Sequence, residues 1–234
     1  MPDSRPPVAV AAFDIGETLI DETRIWSRWA DRLGVTRLTF LGVLGAMAAA
    51  GRPHRDAFEV VRPGIVLDEE LARWKAEDPA GLREDFDVDD LYADVRPCFA
   101  ALHAAGIEVV IAGNQPPQAR GALEAMELGV DRIVISEDIG VEKPDPAFFA
   151  AVADIAGVEP ERIAYVGDRV DNDVTPARRA GMRAVLVRRG PWGHLQAEWP
   201  QAAEAAHVID ALTELPPLLR SVGVEGLEPP ASAL

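Results

Sequence analysis

The sequence has few of the features that would indicate an oxidising compartment or a membrane. Its 234 residues include one cysteine, Cys98, so an internal disulfide is excluded and a reducing compartment is indicated. The first residues contain no apolar signal core. The most apolar stretch, 38–50, is well short of the ~20 residues that a membrane-spanning helix needs. We therefore predict a cytoplasmic protein with no membrane partner.

Positive charge is also scarce. Lysine and arginine together number 23 against 39 aspartates and glutamates, which gives a formal net charge of −16. Such a surface repels a phosphate backbone, so nucleic acid is excluded as a partner. A small phosphate ester stays compatible with the sequence, because a bound cation and a lysine can reverse the field inside a pocket.

The distribution of apolar residues predicts a doubly wound α/β fold. A buried strand at Val8 to Phe13 is followed by helical periodicity up to about Ala93. From Val95 onward, helices and strands alternate as in a parallel sheet covered on both faces, and a last helix is predicted over Ile209 to Leu219. The predicted division is a core of residues 1–19 and 94–224, an all-helical insert of residues 20–93, and a poorly ordered tail, 225–234.

Four segments share one pattern, in which an apolar strand or a loop ends in a polar turn. Asp14 follows the first strand, and Asp168 follows another. Ligands bind at the carboxyl edge of an open parallel sheet, where these turns would meet. The four segments are 11–19, 109–114, 142–146 and 165–173.

In this order the four segments resemble the signature motifs of the haloacid dehalogenase superfamily of hydrolases. The resemblance runs from about Val8 to Trp192 and implies a Rossmann-like core with a helical cap that closes over the active site. It also implies that Asp14 is the nucleophile, which takes up a phosphoryl group as an acyl phosphate. Lys143 would hold the nucleophile and the transferring group together and offset charge in the transition state.

A magnesium ion is predicted at the same edge. Asp168 and Asp173 supply hard oxygen ligands, and three crowded carboxylates, with Asp14, repel one another unless a cation neutralises them. In the superfamily the residue two after the nucleophile also gives its backbone carbonyl to the metal, a role that Gly16 retains. The predicted metal ligands are thus Asp14, Gly16, Asp168 and Asp173.

Two positions depart from the phosphatase pattern. Gly16 stands where such enzymes usually carry a second aspartate, which protonates the leaving group and then deprotonates the attacking water. General acid–base help is worth ~10² to 10⁴ in rate, so slow hydrolysis of unactivated esters is expected. Gly113 stands where a serine or threonine usually donates to the phosphoryl oxygen. The Gly113 and Asn114 N–H groups and the Asn114 side chain are the predicted substitutes, while Glu17 is a poor replacement for the missing acid because neighbouring side chains in an extended segment point apart.

The predicted function is a Mg²⁺-dependent hydrolase that acts on a small phosphorylated metabolite through an Asp14 phosphoryl intermediate. The first alternative is a carbon–halogen hydrolase, which also uses an aspartate nucleophile but needs no Mg²⁺. The second is a phosphate-ligand-binding or partner-binding protein that has lost turnover. The substrate and the oligomeric state are not set by any motif in the sequence.

Overall fold

The computed structural model describes residues 6–79 and 86–220, and its centre is a six-stranded, wholly parallel sheet. The strand order is β3-β2-β1-β4-β5-β6. The strands are β1 (Val10–Phe13), β2 (Glu108–Gly113), β3 (Arg132–Ile135), β4 (Ile163–Gly167), β5 (Arg183–Val187) and β6 (His207–Ile209).

Strand β1 lies in the middle of this sheet, between β2 and β4. All four of its residues are buried, because helices cover the sheet on both faces. At its end, Phe13 is level with Ile111 of β2 and Val166 of β4. The three strands therefore end at nearly the same height, and the turns that follow them face one another.

Helices follow the strands in the alternation that the sequence predicts. They are α1 (Thr23–Leu33), α2 (Arg37–Ala49), α3 (Asp56–Val61), α4 (Leu67–Glu77), α5 (Val95–Ala104), α6 (Gln118–Ala125), α7 (Ser136–Ile139), α8 (Pro146–Ala156), α9 (Thr175–Arg179), α10 (Gly190–Gln196) and α11 (Leu215–Arg220). One apolar cluster, containing Phe13 and Phe99, lies on one face of the sheet. A second, containing Phe148, Phe149 and Tyr165, lies on the other. The predicted doubly wound α/β fold is confirmed.

Helices α1 to α4, which follow β1, lie within the predicted helical insert, and α5 leads back into the core. The centre of the insert is Trp29, whose ring packs edge-on against Phe58 and Trp74 at centroid distances of 4.7 and 4.6 Å. Helix α1 ends where Gly34 adopts a left-handed conformation, with a φ of 71°, and α2 begins where the Thr36 hydroxyl accepts a hydrogen bond from the Thr39 N–H. The helical content fits a cap, and the domain bounds stay a prediction.

Two connections join the insert to the core, and they run side by side. Ile20 of the first forms an antiparallel bridge with Leu91 of the second. The Asp21 N–H donates to the Asp90 carbonyl at 2.8 Å, and the Tyr92 N–H donates to the Leu19 carbonyl at 2.9 Å. The two connections therefore form one short two-stranded neck.

The structure differs from the sequence prediction near the C-terminus. The predicted helix over Ile209 to Leu219 is wrong in its first half, because His207–Ile209 forms the edge strand β6 and the helix begins only at Leu215. The predicted tail, 225–234, lies outside the described residues. Within the described ranges, no single helix has both the length and the apolar character to cross a membrane, although the bent pair α1 and α2 passes that test jointly.

Candidate active site

The carboxyl edge of the sheet brings the predicted site residues together. Asp14 comes directly after β1, and Asp168 directly after β4. Gly113 ends β2, and Lys143 lies in the loop before α8. Asp173 lies in the π-helical turn Val170–Val174. Segments far apart in the chain thus contribute to one cluster, as the strand ends require.

Lys143 is the centre of this cluster. Its Nζ lies 2.6 Å from Asp14 Oδ1 and 2.6 Å from Asp173 Oδ1, and only 1% of its side chain is exposed. Burial by itself lowers the pKa of Lys143, but the carboxylates of Asp14 and Asp173 outweigh burial and raise this pKa well above its ordinary value. Lys143 is therefore a fixed positive charge beside the proposed nucleophile.

Asn114 fixes the loop that carries this lysine. Its Oδ1 accepts a hydrogen bond from the Lys143 N–H at 2.7 Å, and its Nδ2 donates to the Lys143 carbonyl at 2.9 Å. The peptide bond between Lys143 and Pro144 is cis. The Asn114 amide thus positions Lys143, while its predicted contact with substrate stays a prediction.

Three carboxylates form a group that fits a divalent cation. One oxygen from each of Asp14, Asp168 and Asp173 lies within 4.8 Å of the others. Asp168 is buried, and across residues 6–79 and 86–220 no hydrogen bond or ion pair reaches its carboxylate. Burial, followed by the charges of Asp173 and Asp14, raises the pKa of Asp168 well above its ordinary value. Hard oxygen donors with uncompensated negative charge are the ligand set that Mg²⁺ prefers.

Close packing around position 113 favours a residue without a side chain. A Cβ there would lie 2.9 Å from Asp14 Oδ1 and 3.0 Å from the Ile15 Cδ1. Both distances are shorter than side chains tolerate without movement. A serine or threonine at this position would therefore require the side chains of Asp14 and Ile15 to shift.

Glu17 is engaged in the turn that follows β1. Its backbone is left-handed, with a φ of 51°, and its side chain is buried. Oε1 accepts a hydrogen bond from the Glu22 N–H at 3.0 Å, and Oε2 accepts one from the Tyr92 hydroxyl at 2.7 Å. Burial first, and then the charge of Glu22, raises the pKa of Glu17 to about 7. Both oxygens therefore hold the neck in place.

A cavity of about 450 Å³ opens above the carboxylates, between the sheet edge and the helical insert. Several of its lining residues were not predicted from the sequence: Glu22, Trp26, His54, Arg55 and Arg169. Trp26 lies on the apolar stripe of α1, and sequence analysis alone assigns that stripe to the core of the insert. Glu22, His54 and Arg55 belong to no motif, because the packing of the insert on the core brings them to the cavity, whereas Arg169 lies inside the segment 165–173, next to Asp168.

Comparison with known proteins agrees with this geometry. The family model of the haloacid dehalogenase-like hydrolases matches residues 8–181. The chain belongs to that family. The recognition made from the sequence and the prediction of an enzyme of the hydrolase class are confirmed. The matched range contains all of the predicted catalytic and metal-ligand residues of this haloacid dehalogenase-like hydrolase.

Curated relatives of this hydrolase carry phosphatase names. A glyceraldehyde 3-phosphate phosphatase of Methanopyrus kandleri is 40% identical over 111 residues, which is 45% of this chain and 46% of that protein. A phosphoserine phosphatase of Thermus thermophilus is 32% identical over 197 residues, which is 78% of this chain and 74% of that protein. The chain thus spans about half of the first relative and most of the second.

Solved structures of the family share the fold. A haloacid dehalogenase-like hydrolase of Bacteroides fragilis superposes with a TM-score of 0.67 and 22% identity, over 89% of this chain and 99% of that one. At this identity the likeness establishes the architecture alone.

Proposed function

We propose that this hydrolase is a Mg²⁺-dependent phosphatase of small phosphorylated metabolites that works through an aspartyl phosphate at Asp14. The observation that carries the proposal is the pairing of Asp14 with the buried Lys143 beside the carboxylate of Asp168, which receives no hydrogen bond or ion pair from any residue that the structure describes. The phosphatase names of the relatives from Methanopyrus kandleri and Thermus thermophilus support the reaction class.

The residues divide the reaction between them. Lys143 holds Asp14 Oδ1, so Oδ2 is the atom that attacks phosphorus. The Oδ2–P bond forms as the ester P–O bond breaks, and the leaving oxygen takes a proton that is regained when water is deprotonated in the second step. Water then attacks the same phosphorus, the bond to Asp14 breaks, and inorganic phosphate is released. The Lys143 ammonium offsets the negative charge that develops on the phosphoryl oxygens.

Asp14, Asp168, Asp173 and the Gly16 carbonyl would hold the Mg²⁺ ion. When bound, the ion neutralises the crowded carboxylates and lowers the negative potential that a phosphate dianion meets. Asp173 Oδ2 also accepts the Arg169 N–H at 3.0 Å, which fixes the carboxylate in the cluster. The carboxylate cluster weighs against the carbon–halogen alternative, because that chemistry needs no metal.

A screen of phosphorylated metabolites with and without Mg²⁺ tests the proposal. We expect release of inorganic phosphate only with Mg²⁺, and loss of that activity by at least about 10³-fold in Asp14→Asn, since the variant has no nucleophile. The control is Asp138→Asn, an exposed aspartate paired with Arg120, which should keep full activity. Undiminished turnover in Asp14→Asn would rule out the mechanism. Phosphate-ester binding without turnover would favour the non-enzymatic alternative.

A further inference from the structure

Gly16 has no side chain, but the space beside it contains a carboxylate. A Cβ built on Gly16 would lie 2.6 Å from Oε1 and 3.2 Å from Oε2 of Glu22. The Glu22 carboxylate therefore occupies the place that a side chain at position 16 would enter. Glu22 is the residue that precedes α1, six positions after Gly16 along the chain.

The local structure of Glu22 directs its side chain into the cavity. Glu22 precedes the first turn of α1, yet its side chain makes no capping hydrogen bond to that helix. It is half-buried and lines the cavity together with Asp14 and Gly16. The indole Nε1 of Trp26, one helical turn later, donates to Glu22 Oε2 at 3.0 Å and so fixes the orientation of the carboxylate.

Glu17, the other glutamate near Gly16, does not occupy the space beside Gly16 that Glu22 occupies. Its two oxygens accept hydrogen bonds from the Glu22 N–H and the Tyr92 hydroxyl. Its side chain extends toward Gly190, where a Cβ would lie 2.6 Å from Glu17 Cγ. The Glu17 carboxyl group therefore belongs to the neck, and Glu22 is the one that reaches the space beside Gly16.

We propose that Glu22 is the catalytic acid and base of this hydrolase, in place of the residue that Gly16 lacks. The inference rests on the proposed phosphatase function. As the ester P–O bond breaks, the Glu22 carboxylic acid gives its proton to the leaving oxygen. The resulting Glu22 carboxylate then takes a proton from water as the water oxygen forms its bond to phosphorus. The P–O bond to Asp14 breaks, phosphate leaves, and Glu22 is again protonated.

The first experiment compares Glu22→Gln with the unaltered protein on two esters in the presence of Mg²⁺. Phenyl phosphate has a leaving group that needs a proton, and 2,4-dinitrophenyl phosphate has one that does not. We expect kcat/KM for phenyl phosphate to fall by about 100-fold or more, and kcat/KM for the dinitrophenyl ester to change less than about tenfold. A burst of dinitrophenolate should precede slow turnover, because the phosphorylated Asp14 accumulates when water lacks its base.

Three further variants separate chemistry from folding. Glu22→Asp keeps a carboxylate and should show a smaller loss with the same dependence on leaving group. Glu69→Gln, an exposed glutamate of α4, should change neither ester. Glu17→Gln should affect both esters equally if it affects them at all, since it acts through the neck. Circular dichroism and thermal melting check that each variant folds.

The second experiment moves the carboxylate back to position 16. In the double variant Gly16→Asp with Glu22→Ala, the space that Glu22 filled is vacant, and Asp at position 16 enters it. We expect kcat/KM for phenyl phosphate to be at least about tenfold higher in this double variant than in Glu22→Ala. Gly16→Asp alone should show no increase in phenyl phosphate hydrolysis, because the new side chain would clash with the Glu22 carboxylate and repel its charge.

The outcomes distinguish this inference from the function on which it rests. If the unaltered protein is active and Asp14→Asn is dead, but Glu22→Gln lowers both esters equally or neither, the role of Glu22 is wrong and the phosphatase proposal survives. If the double variant recovers nothing although folded, the role is likewise overturned. Absence of Mg²⁺-dependent hydrolysis in the unaltered protein would overturn both proposals.

Discussion

At the scale of single residues, Lys143 balances a concentration of negative charge that the sheet edge imposes. It is one of the chain's two lysines, the other being Lys75. Its ammonium contacts two carboxylates, and only 1% of its own side chain is exposed. Removing one partner from a buried ion pair leaves an uncompensated charge, which is costly.

Lys143→Met is therefore expected to destabilise the metal-free protein by roughly 3–5 kcal/mol. Mg²⁺ should raise the melting temperature of this variant more than that of the unaltered protein, because the cation then neutralises carboxylates that the lysine no longer reaches. Thermal unfolding with EDTA and with Mg²⁺ measures both effects. Lys75→Met, at an exposed position, is the control and should respond like the unaltered protein. An equal response to Mg²⁺ in Lys143→Met would contradict a shared charge cluster.

Glu17 gives the protein a dependence of stability on pH. Burial raises the pKa of this side chain from 4.5 in the unfolded chain to about 7 in the folded one. The folded state therefore binds this proton more tightly than the unfolded state does. The resulting contribution of Glu17 to the free energy of unfolding is fully present below pH 4.5 and is lost as the pH rises through 7.

Glu17→Gln has no proton to lose at this position. In EDTA, the free energy of unfolding of this variant is compared with that of the unaltered protein at pH 5 and at pH 8. The difference between the two proteins should shift in favour of the variant by about 2 kcal/mol from pH 5 to pH 8. Urea unfolding at the two pH values makes the comparison, with Glu69→Gln as the exposed control. A difference that does not vary with pH would mean that Glu17 is ionised in the folded state throughout.

The sequence predicts this site only where the backbone topology determines it. Asp14 and Asp168 follow buried strands, and the carboxyl ends of parallel strands meet at one edge, so their proximity could be predicted. The position of Glu22 could not. The Glu22 side chain folds back across the turn at Glu17 to lie beside Gly16, and no spacing in the sequence indicates this conformation.

At the scale of elements, the apolar strands and the periodic helices could be predicted, including the edge strand β3, whereas the edge strand β6 could not. Strands β1 and β4 have continuous apolar runs. Strand β6 has three residues and only its last is buried, so it carries no comparable signal. Helix α10 begins at Gly190-Pro191, a pair that is also typical of a turn, and it packs against α2.

The aromatic cluster around Trp29 should hold the helical insert together. Trp29→Ala removes a side chain that is 1% exposed and is expected to cost roughly 3–5 kcal/mol of local stability. Hydrogen exchange should show lost protection in α1 to α4, with β1 and β4 retained.

The matched control for this experiment is Phe149→Ala on α8. Phe149 and Tyr165 lie together in the second apolar cluster, on the other face of the sheet from Phe13 and Phe99, and their ring centroids are 5.1 Å apart. Phe149→Ala should lower protection in α8 and β4 and spare the insert. Equal loss of protection everywhere in Trp29→Ala would show that the insert and the core unfold as one unit, against the predicted domain division.

At the scale of the whole molecule, the net charge of −16 opposes the approach of an anionic ester. Salt shortens the Debye length from about 30 Å at 0.01 M to about 8 Å at 0.15 M, which screens the distant surface more than the cavity. We expect kcat/KM for a phosphate dianion to rise roughly twofold or more over this range while kcat stays constant. Steady-state kinetics in NaCl at fixed Mg²⁺ tests this. A fall in kcat/KM would instead show that the arginines at the cavity dominate the approach.

The neck between Leu19 and Tyr92 also has a practical consequence for protein engineering. Because both chain crossings are paired there, through Ile20 with Leu91 and Asp21 with Asp90, the helical insert is joined covalently to the core at this one junction. A foreign helical unit from another family member could be spliced in by matching these paired residues together with the surface of α2 that packs on the core helix α10. Chimeras cut at this junction should inherit the substrate preference of the donor while the recipient's catalytic edge stays intact.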